Sequence, residues 1–158
     1  MSLNIRRVVT GHDEDGKAIV LIDEICKNLR SGRERHHSCA IWSTGSFPTD
    51  NSNNDDGALR AVGSTDPGGT VFRVVQYEPG VSPRNHRTDS LDYAVVISGE
   101  IDLDLDGTMV HLTQGDVVVQ RGTVHNWVNG GSEPCVIAFA LIAADPVKRG
   151  GGVLHAMG

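Results

Sequence analysis

The sequence is poor in aromatic residues, in cysteine and in long apolar runs, and each shortage excludes a class of protein. Aromatic residues make up 4% of the 158 residues, and the three cysteines are scattered without a C-x-x-C spacing. We therefore expect neither a disulfide framework nor a zinc knuckle. No apolar run approaches the roughly 18 residues that a membrane helix needs. Residues 1–16 lack the apolar core of a secretory signal, so we expect a cytoplasmic protein.

Positive charge is also in short supply. Lys and Arg number 14 against 20 Asp and Glu, which gives a net charge of −6. Binding to phosphates requires clustered cations, so we expect no nucleic-acid partner and no membrane partner. The one basic stretch, residues 30–37, is short and contains Gly and Ser, and it is interpreted as a solvated loop.

Glycine and short apolar runs are abundant by contrast. There are 19 glycines, and most apolar runs are short, rich in Val and Ile, and bounded by Gly, Pro, Asn or Asp. This pattern is typical of an all-β protein. The predicted strands are 5–10, 17–23, 39–43, 71–78, 92–98, 100–105, 108–112, 116–120, 124–129 and 134–142.

The clearest hairpin is the stretch EIDLDLDGTMVHL, residues 100–112. Its alternating positions are Ile101, Leu103 and Leu105 on one face and Asp102, Asp104 and Asp106 on the other. Such alternation predicts a half-buried strand, and Asp106-Gly107 supplies a tight turn. The three aspartates are therefore interpreted as a solvated face and not as a metal cluster.

Two segments carry no apolar periodicity. Residues 44–70 are rich in Asn, Asp, Gly, Ser and Pro, and they predict a long loop. Such a loop could cover the mouth of a barrel as a lid or be a disordered insertion. The last residues, 148–158, are predicted to be a frayed terminus.

The stretch PRNHRTDSLDYAVVISGE, residues 83–100, raises the question of a metal site. Residues two apart in a strand share a face, so Arg84, His86 and Thr88 are expected to point the same way. A short turn would bring Asp92 onto the next strand, whereas Asp89 has the opposite parity.

A second polar stretch, GTVHNWVN, places His125, Trp127 and Asn129 on one strand face. If the strands are neighbours, His86, His125 and Asp92 can converge on one point. Two imidazoles and a carboxylate suit a divalent transition metal such as iron, manganese, zinc or nickel. The alternative is a pair of pocket histidines hydrogen-bonded to Asp92 or Thr88 without a metal. No motif for an organic cofactor is present.

The spacing of these residues resembles the two sequence motifs of the cupins. The first motif, G-(X)5-H-X-H-(X)3,4-E-(X)6-G, is matched by Gly80, His86, Thr88, Asp92 and Gly99, with Thr in place of the second His and Asp in place of Glu. The second motif, G-(X)5-P-X-G-(X)2-H-(X)3-N, is matched at its end. Its matching residues are Gly115, Gly122, His125 and Asn129, whereas the Pro is missing.

The resemblance covers about residues 71 to 143, and it implies a double-stranded β-helix, or jelly roll, with a site inside the barrel. Residues 71–145 would form the barrel, residues 1–70 would add N-terminal strands and the long loop to the same domain, and residues 146–158 would be the tail. The resemblance also implies a homodimer, often built through N-terminal strands. It assigns His86, His125 and Asp92 as metal ligands, while the hydroxyl of Thr88 is a poor ligand.

Three functions follow from this site. The first is a metal-dependent enzyme of the oxygenase, isomerase, decarboxylase or lyase type that acts on a small organic molecule. The second is a non-catalytic module that binds or senses a small molecule, and the third is a metal-free enzyme. Asp92 could act as a general base and Thr88 could hydrogen-bond a substrate oxygen. The expected substrate pocket is lined by Arg84, which could bind a carboxylate, by Trp127 and by Asn129.

Overall fold

The computed structural model describes residues 3–158, and strands dominate it. The first strands are β1 (Arg6–His12), β2 (Ala18–Ile25), β3 (Leu29–Arg33), β4 (His36–Thr44) and β5 (Thr70–Tyr77). They are followed by β6 (Ser90–Ser98), β7 (Glu100–Leu105), β8 (Thr108–Thr113), β9 (Val117–Arg121) and β10 (Asn126–Val128). The last strands are β11 (Cys135–Ala143), β12 (Val147–Arg149) and β13 (Gly152–Leu154). A short 3-10 helix, Gly57–Leu59, lies between β4 and β5.

The strands form antiparallel sheets, which confirms the predicted all-β class. A six-stranded sheet has the order β3-β4-β5-β11-β6-β9, and a three-stranded sheet has the order β10-β7-β8. Two further pairs, β1-β2 and β12-β13, stand outside these sheets. Within residues 3–158 there is no helix with the length and apolarity that a membrane crossing requires.

The main core contains inward-facing residues from both larger sheets. Its strongest contributors are buried aliphatic and aromatic side chains: Val71, Val75, Tyr77, Val96, Ile101, Leu103, Trp127, Ile137, Phe139 and Leu141. A smaller cluster lies on the other side of β5 and consists of Leu3, Cys26, Cys39 and Val74. Val74 of β5 lies in this cluster and its neighbour Val75 lies in the main core, so the N-terminal segment is packed against the outer side of the barrel sheet.

The predicted solvated loop over residues 30–37 is wrong. Strands β3 and β4 occupy this stretch, and only Glu34 and Arg35 remain in the turn between them. Arg35 has a φ of 61°, the left-handed conformation that closes the turn. The physical reason for the strands is long-range pairing, because β4 is hydrogen-bonded to β5 along its length. Charged composition alone did not reveal that pairing.

The long loop is anchored to the strands and is not the disordered insertion that the sequence left open. Arg7 of β1 donates hydrogen bonds of 2.7 and 2.8 Å to the two carboxylate oxygens of Asp56. Arg60 forms an ion pair of 2.9 Å with Asp66, and Val62 packs against the barrel core. The loop therefore crosses from the N-terminal strands to the barrel.

The predicted frayed terminus is also wrong, because strands β12 and β13 pair as a hairpin. Beyond the hairpin, Met157 forms an antiparallel bridge with Arg87. The last residues thereby lie beside the stretch that contains His86.

Candidate active site in the barrel

His86 and His125 lie side by side, as the sequence predicted. Their backbones form an isolated antiparallel bridge, in which each N–H donates to the other carbonyl at 3.0 Å. The centres of the two imidazole rings are 4.2 Å apart, and the ring planes are inclined at 47°. Cross-strand neighbours share a face of a sheet, so both rings point into the same space.

Each ring is oriented by a backbone carbonyl two residues earlier in the chain. Nδ1 of His86 lies 3.0 Å from the carbonyl oxygen of Arg84, and Nδ1 of His125 lies 3.1 Å from that of Thr123. A carbonyl only accepts, so these contacts place the proton on Nδ1 when the ring is neutral. The lone pair then lies on Nε2 of each ring, which is the arrangement found in metal-bound histidines.

Gln120 of β9 gives His125 a further contact. Its side-chain amide nitrogen lies 2.8 Å from Nδ1 of His125 and 2.6 Å from Oγ1 of Thr123, while its Oε1 is buried without a partner among the described residues. The two ends of an amide differ only in their hydrogen-bonding roles. Turning this amide over would let Oε1 accept the Nδ1 proton of His125.

The electrostatic environment keeps both histidines neutral at neutral pH. Burial lowers the pKa of His125 to about 4, and repulsion from Arg84, and from His86 whenever its ring is protonated, acts in the same direction. Burial also lowers the pKa of His86, and Arg84 and Arg33 act in the same direction. Neutral imidazole is the form that accepts a proton or binds a metal.

Asp92 points into the barrel, in agreement with its predicted parity, and is 4% exposed. The hydroxyl of Ser90 donates to Oδ1 of Asp92, and its oxygen lies 2.8 Å from Oγ1 of Thr88. Burial raises the pKa of the Asp92 carboxyl, against the opposing effects of Ser90 and Arg73. The outcome is a buried polar group in which Asp92 and Thr88 are held together by Ser90.

The predicted convergence of Asp92 with the two histidines on one metal ion is not found. No group of three or more His, Cys, Asp and Glu side chains within residues 3–158 is arranged to hold a metal. In the sheet Asp92 is aligned with Gln120, not with His125, and its carboxylate is bound to Ser90 on its own strand. Asp92 is therefore not joined to the two imidazoles in one group of possible ligands.

The three expected pocket residues have different environments. Trp127 is a core residue at 3% exposure, and its ring centre lies 6.0 Å from that of His125. Arg84 is half-buried, and its Nη2 donates to the carbonyl of Gly158 at 2.6 Å. Asn129 is a correction to the expected pocket. Its amide nitrogen donates to the carbonyls of Tyr77 and Glu133, so this side chain links backbone segments and has no N–H left for a substrate.

Sequence reasoning missed the basic side of the barrel. Arg33, His36 and Arg73 are all half-buried, although residues 30–37 had been expected to form a solvated loop. The ring of His36 packs edge-on against Tyr77, with 5.4 Å between the ring centres. A signal for Arg73 was present, because it alternates with Val71 and Val75 in the strand and must share their inward face.

Comparison with known proteins agrees with this architecture. A family model described as the Cupin domain matches residues 73–142. The chain is 36% identical to Phomopsin biosynthesis cluster protein C' of Diaporthe leptostromiformis, over 94% of this chain and 83% of that protein. It is 35% identical to the cupin-domain-containing oxidoreductase fogC of Aspergillus ruber, over 92% of this chain and 75% of that protein.

Among solved structures, the cupin domain of Cnp3 from Schizosaccharomyces pombe superposes with a TM-score of 0.52. The superposition covers 87% of each chain at 10% sequence identity. At this identity the likeness concerns the fold alone, and it confirms the double-stranded β-helix that the sequence motifs implied.

Proposed function

The chain belongs to the cupin family, and we propose that it is an enzyme that converts a small organic molecule at the His86–His125 pair inside the barrel. The observation that carries this proposal is the pairing of two neutral imidazoles with both Nδ1 atoms engaged by the backbone. Relatives named as oxidoreductases and as biosynthesis cluster proteins support a redox reaction on a biosynthetic intermediate.

His86 and His125 would hold a divalent transition metal such as iron, manganese, zinc or nickel through Nε2. Such a metal supplies Lewis-acid or redox chemistry to a bound substrate. With two protein ligands, binding is expected to be weaker than at a site with three or four. The residue where the first motif has its second histidine is Thr88, whose neutral hydroxyl does not replace that ligand.

Asp92 is the proposed acid–base residue. Its raised pKa brings the carboxyl closer to neutral pH, where a group can both give and take a proton. Ser90 and Thr88 hold the carboxyl in place, and Thr88 Oγ1 can hydrogen-bond a substrate oxygen. Gln120 is aligned with Asp92 in the sheet, and its side-chain amide lies beside His125.

Metal binding by the chain of 158 residues tests the ligand assignment. We expect His86→Ala and His125→Ala each to lower the affinity for Zn(II) by at least about tenfold, because each removes one of two imidazole ligands. His111 is the matched control, since it is an exposed histidine bound to Asp102 on the outside of the barrel. Isothermal titration measures the affinities, and equal affinities in all three variants would sink the assignment.

Thr88→His offers the opposite change. It restores an imidazole at the first-motif position, so we expect Zn(II) to bind at least about tenfold more tightly than to the unaltered chain. A matched Thr88→Val variant removes the hydroxyl without adding a ligand and is expected to leave the affinity near its original value. An unchanged affinity in a folded Thr88→His variant would show that residue 88 does not face the imidazole pair.

Turnover separates an enzyme from a binding module. The purified chain, with and without Fe(II), is incubated with a panel of small organic metabolites, and products are followed by mass spectrometry. Conversion that disappears in His86→Ala and persists in His111→Ala supports the enzyme. Saturable binding without conversion of any compound would favour the non-catalytic module.

We also propose that the chain forms a homodimer. The outer face of the six-stranded sheet carries exposed apolar side chains on β5, β6 and β9, among them Phe72, Tyr93, Val117 and Val119. Exposed apolar patches of this kind favour association with another protein surface. Analytical ultracentrifugation of the unaltered chain should give the dimer mass, and Val119→Lys should shift it towards the monomer. A monomer mass for the unaltered chain contradicts the proposal.

A further inference from the structure

The C-terminal hairpin β12–β13 forms one wall of a cavity, the hairpin cavity. This cavity has a volume of about 600 Å³, and its other walls come from β7 of the three-stranded sheet and β9 of the six-stranded sheet. Its volume falls within the range of pockets that hold small organic molecules. Its lining contains neither imidazole of the His86–His125 pair, nor Asp92, nor Thr88. The hairpin cavity is therefore distinct in its lining from the proposed active site.

Most of the wall of the hairpin cavity is aliphatic. Leu103 and Leu105 contribute from β7 and Val118 from β9, and all three belong to the main core or pack against it. Val147 and Leu154 of the hairpin are cross-strand partners, and both line the cavity. Cross-strand partners share a face, so the hairpin turns its apolar face towards the cavity. Such walls favour a ligand with an apolar body.

The hairpin is held against the barrel on two sides. Gly122 has a φ of 62°, and a Cβ at this position would lie only 3.0 Å from Cγ2 of Val147. Beyond the hairpin, the backbone of Met157 exchanges hydrogen bonds of 2.9 and 3.0 Å with that of Arg87. The close approach at Gly122 and the bridge at Met157 give the cavity fixed walls.

Two polar side chains in the lining have unpaired atoms. Gln120 is 5% exposed, and its Oε1 is buried without a hydrogen-bond partner among the described residues. Nε of Arg87 is likewise buried and unpaired within residues 3–158. Buried polar atoms are nearly always paired, so unpaired atoms in the lining of a cavity indicate where the polar group of a ligand binds.

A hydroxyl group meets this requirement. If the amide of Gln120 is turned over, Nε2 takes the place of Oε1 and becomes the unpaired end. A hydroxyl both donates and accepts, so it pairs with either end of the amide. A carboxylate only accepts and would leave Oε1 unpaired. Arg121 and Arg149 also line the cavity, but both are exposed, so water solvates their charges.

We propose that the hairpin cavity binds a small apolar molecule with a hydroxyl group, an alcohol or a phenol, whose hydroxyl pairs with the amide of Gln120. The apolar body lies between Leu105 and Val118 on one side and the Val147–Leu154 pair on the other. The inference goes beyond the proposed reaction and does not rest on it, because no proposed metal ligand or acid–base residue lines the cavity.

Fluorescence titration of the chain with two probes of similar shape tests the role of Gln120. The first probe is 2-naphthol, and the second is 2-methylnaphthalene, which carries a methyl group in place of the hydroxyl. We expect saturable binding of both, because both have an apolar body. Gln120→Leu should weaken the binding of the naphthol by at least about fivefold, since the net contribution of one hydrogen bond is of that order. The same variant should not weaken the binding of the methyl compound.

Leu154→Trp tests the cavity itself. The larger side chain fills part of the space, so we expect both probes to bind at least about tenfold more weakly. Val153→Trp is the matched control, because Val153 precedes Leu154 in β13, faces the other side of the hairpin and is 48% exposed. This control should leave both affinities near their original values. Circular dichroism checks that each variant is folded, and Gln120→Met replaces Gln120→Leu if the latter does not fold.

Several results would overturn the inference. They are the absence of saturable naphthol binding, an equal effect of Gln120→Leu on the two probes, unchanged affinities in Leu154→Trp, and tighter binding of the anion naphthoate than of the naphthol. His86→Ala separates this site from the imidazole pair. Naphthol binding retained in this variant supports the hairpin cavity, whatever the outcome for metal or turnover, whereas binding lost in it would place the probe at the imidazole pair and overturn the inference.

Discussion

The hairpins β7–β8 and β3–β4 show two different ways in which sequence determines a strand. In β7 the apolar residues Ile101 and Leu103 are buried and alternate with aspartates, so the strand is visible in the sequence itself. In β3 no residue is buried, and the stretch is rich in Arg, Ser and Gly. Strand β3 forms because it pairs with the edge of β4, and β4 is in turn hydrogen-bonded to β5.

The difference between β7 and β3 shows which strands hydrophobic periodicity can predict. A half-buried strand carries its own hydrophobic signal, whereas an edge strand takes its structure from its neighbour. The stretch that looked least structured also supplies Arg33 and His36 to the barrel interior. Polar residues at an edge can therefore face the interior even when the local pattern is that of a loop.

The largest expected effect comes from truncating the apolar side of β7. Leu103 is 3% exposed, and Leu103→Ala is expected to lower the free energy of unfolding by about 2–5 kcal/mol. Leu29 of β3 is the matched control, because it is 43% exposed and Leu29→Ala removes little buried area. Urea denaturation measures both. Similar losses in the two variants would contradict the contrast between the hairpins.

A smaller effect is expected from the pH dependence of His36. Burial, with Arg33 adding to its effect, lowers its pKa from 6.5 to about 4, so between these values the unfolded chain takes up a proton that the folded chain does not. The free energy of unfolding should therefore fall as the pH decreases from 6.5 towards 4. In His36→Gln this loss should be smaller by about 1–2 kcal/mol. Denaturation at a series of pH values measures this difference. Parallel curves of unfolding free energy against pH for the two proteins would show that the pKa of His36 is not lowered by burial.

The smallest effect concerns the outer face of the β7–β8 hairpin. The carboxylate of Asp102 lies 2.8 Å from Nδ1 of the exposed His111 and raises its pKa. In Asp102→Asn the pKa of His111 should return towards its ordinary value, with no measurable change in stability because the pair is exposed. NMR titration of the imidazole checks the first point. An unchanged pKa would show that the pair does not form in solution.

Most of the barrel could be predicted because its strands alternate and its motif glycines fix the turns. Strands β5 to β11 were each anticipated within a few residues, and the adjacency of His86 and His125 followed from motif spacing. Strands β3, β12 and β13 were missed. Their residues are mostly exposed and show no apolar alternation, so only their pairing with a neighbouring strand identifies them.

The site was predicted in part for a related reason. Strand parity gave the inward direction of Asp92, but it could not give the contact with Ser90 that holds the carboxylate away from a three-ligand group. The engagement of Asn129 with the backbone was likewise invisible, because it depends on where Tyr77 and Glu133 meet. Parity shows which face a residue occupies, and tertiary contacts decide what it does there.

Arg7 sets a lower limit on how far the chain can be shortened. Its guanidinium, 5% exposed, binds Asp56 of the long loop, Glu24 of β2 and the carbonyl of Ile41 in β4. Trimming the chain to the motif-bearing half would remove this junction and uncover the outer side of Val74. Mutant libraries or minimised versions of this protein should therefore keep Arg7, because one guanidinium joins β1 to β2, to β4 and to the long loop.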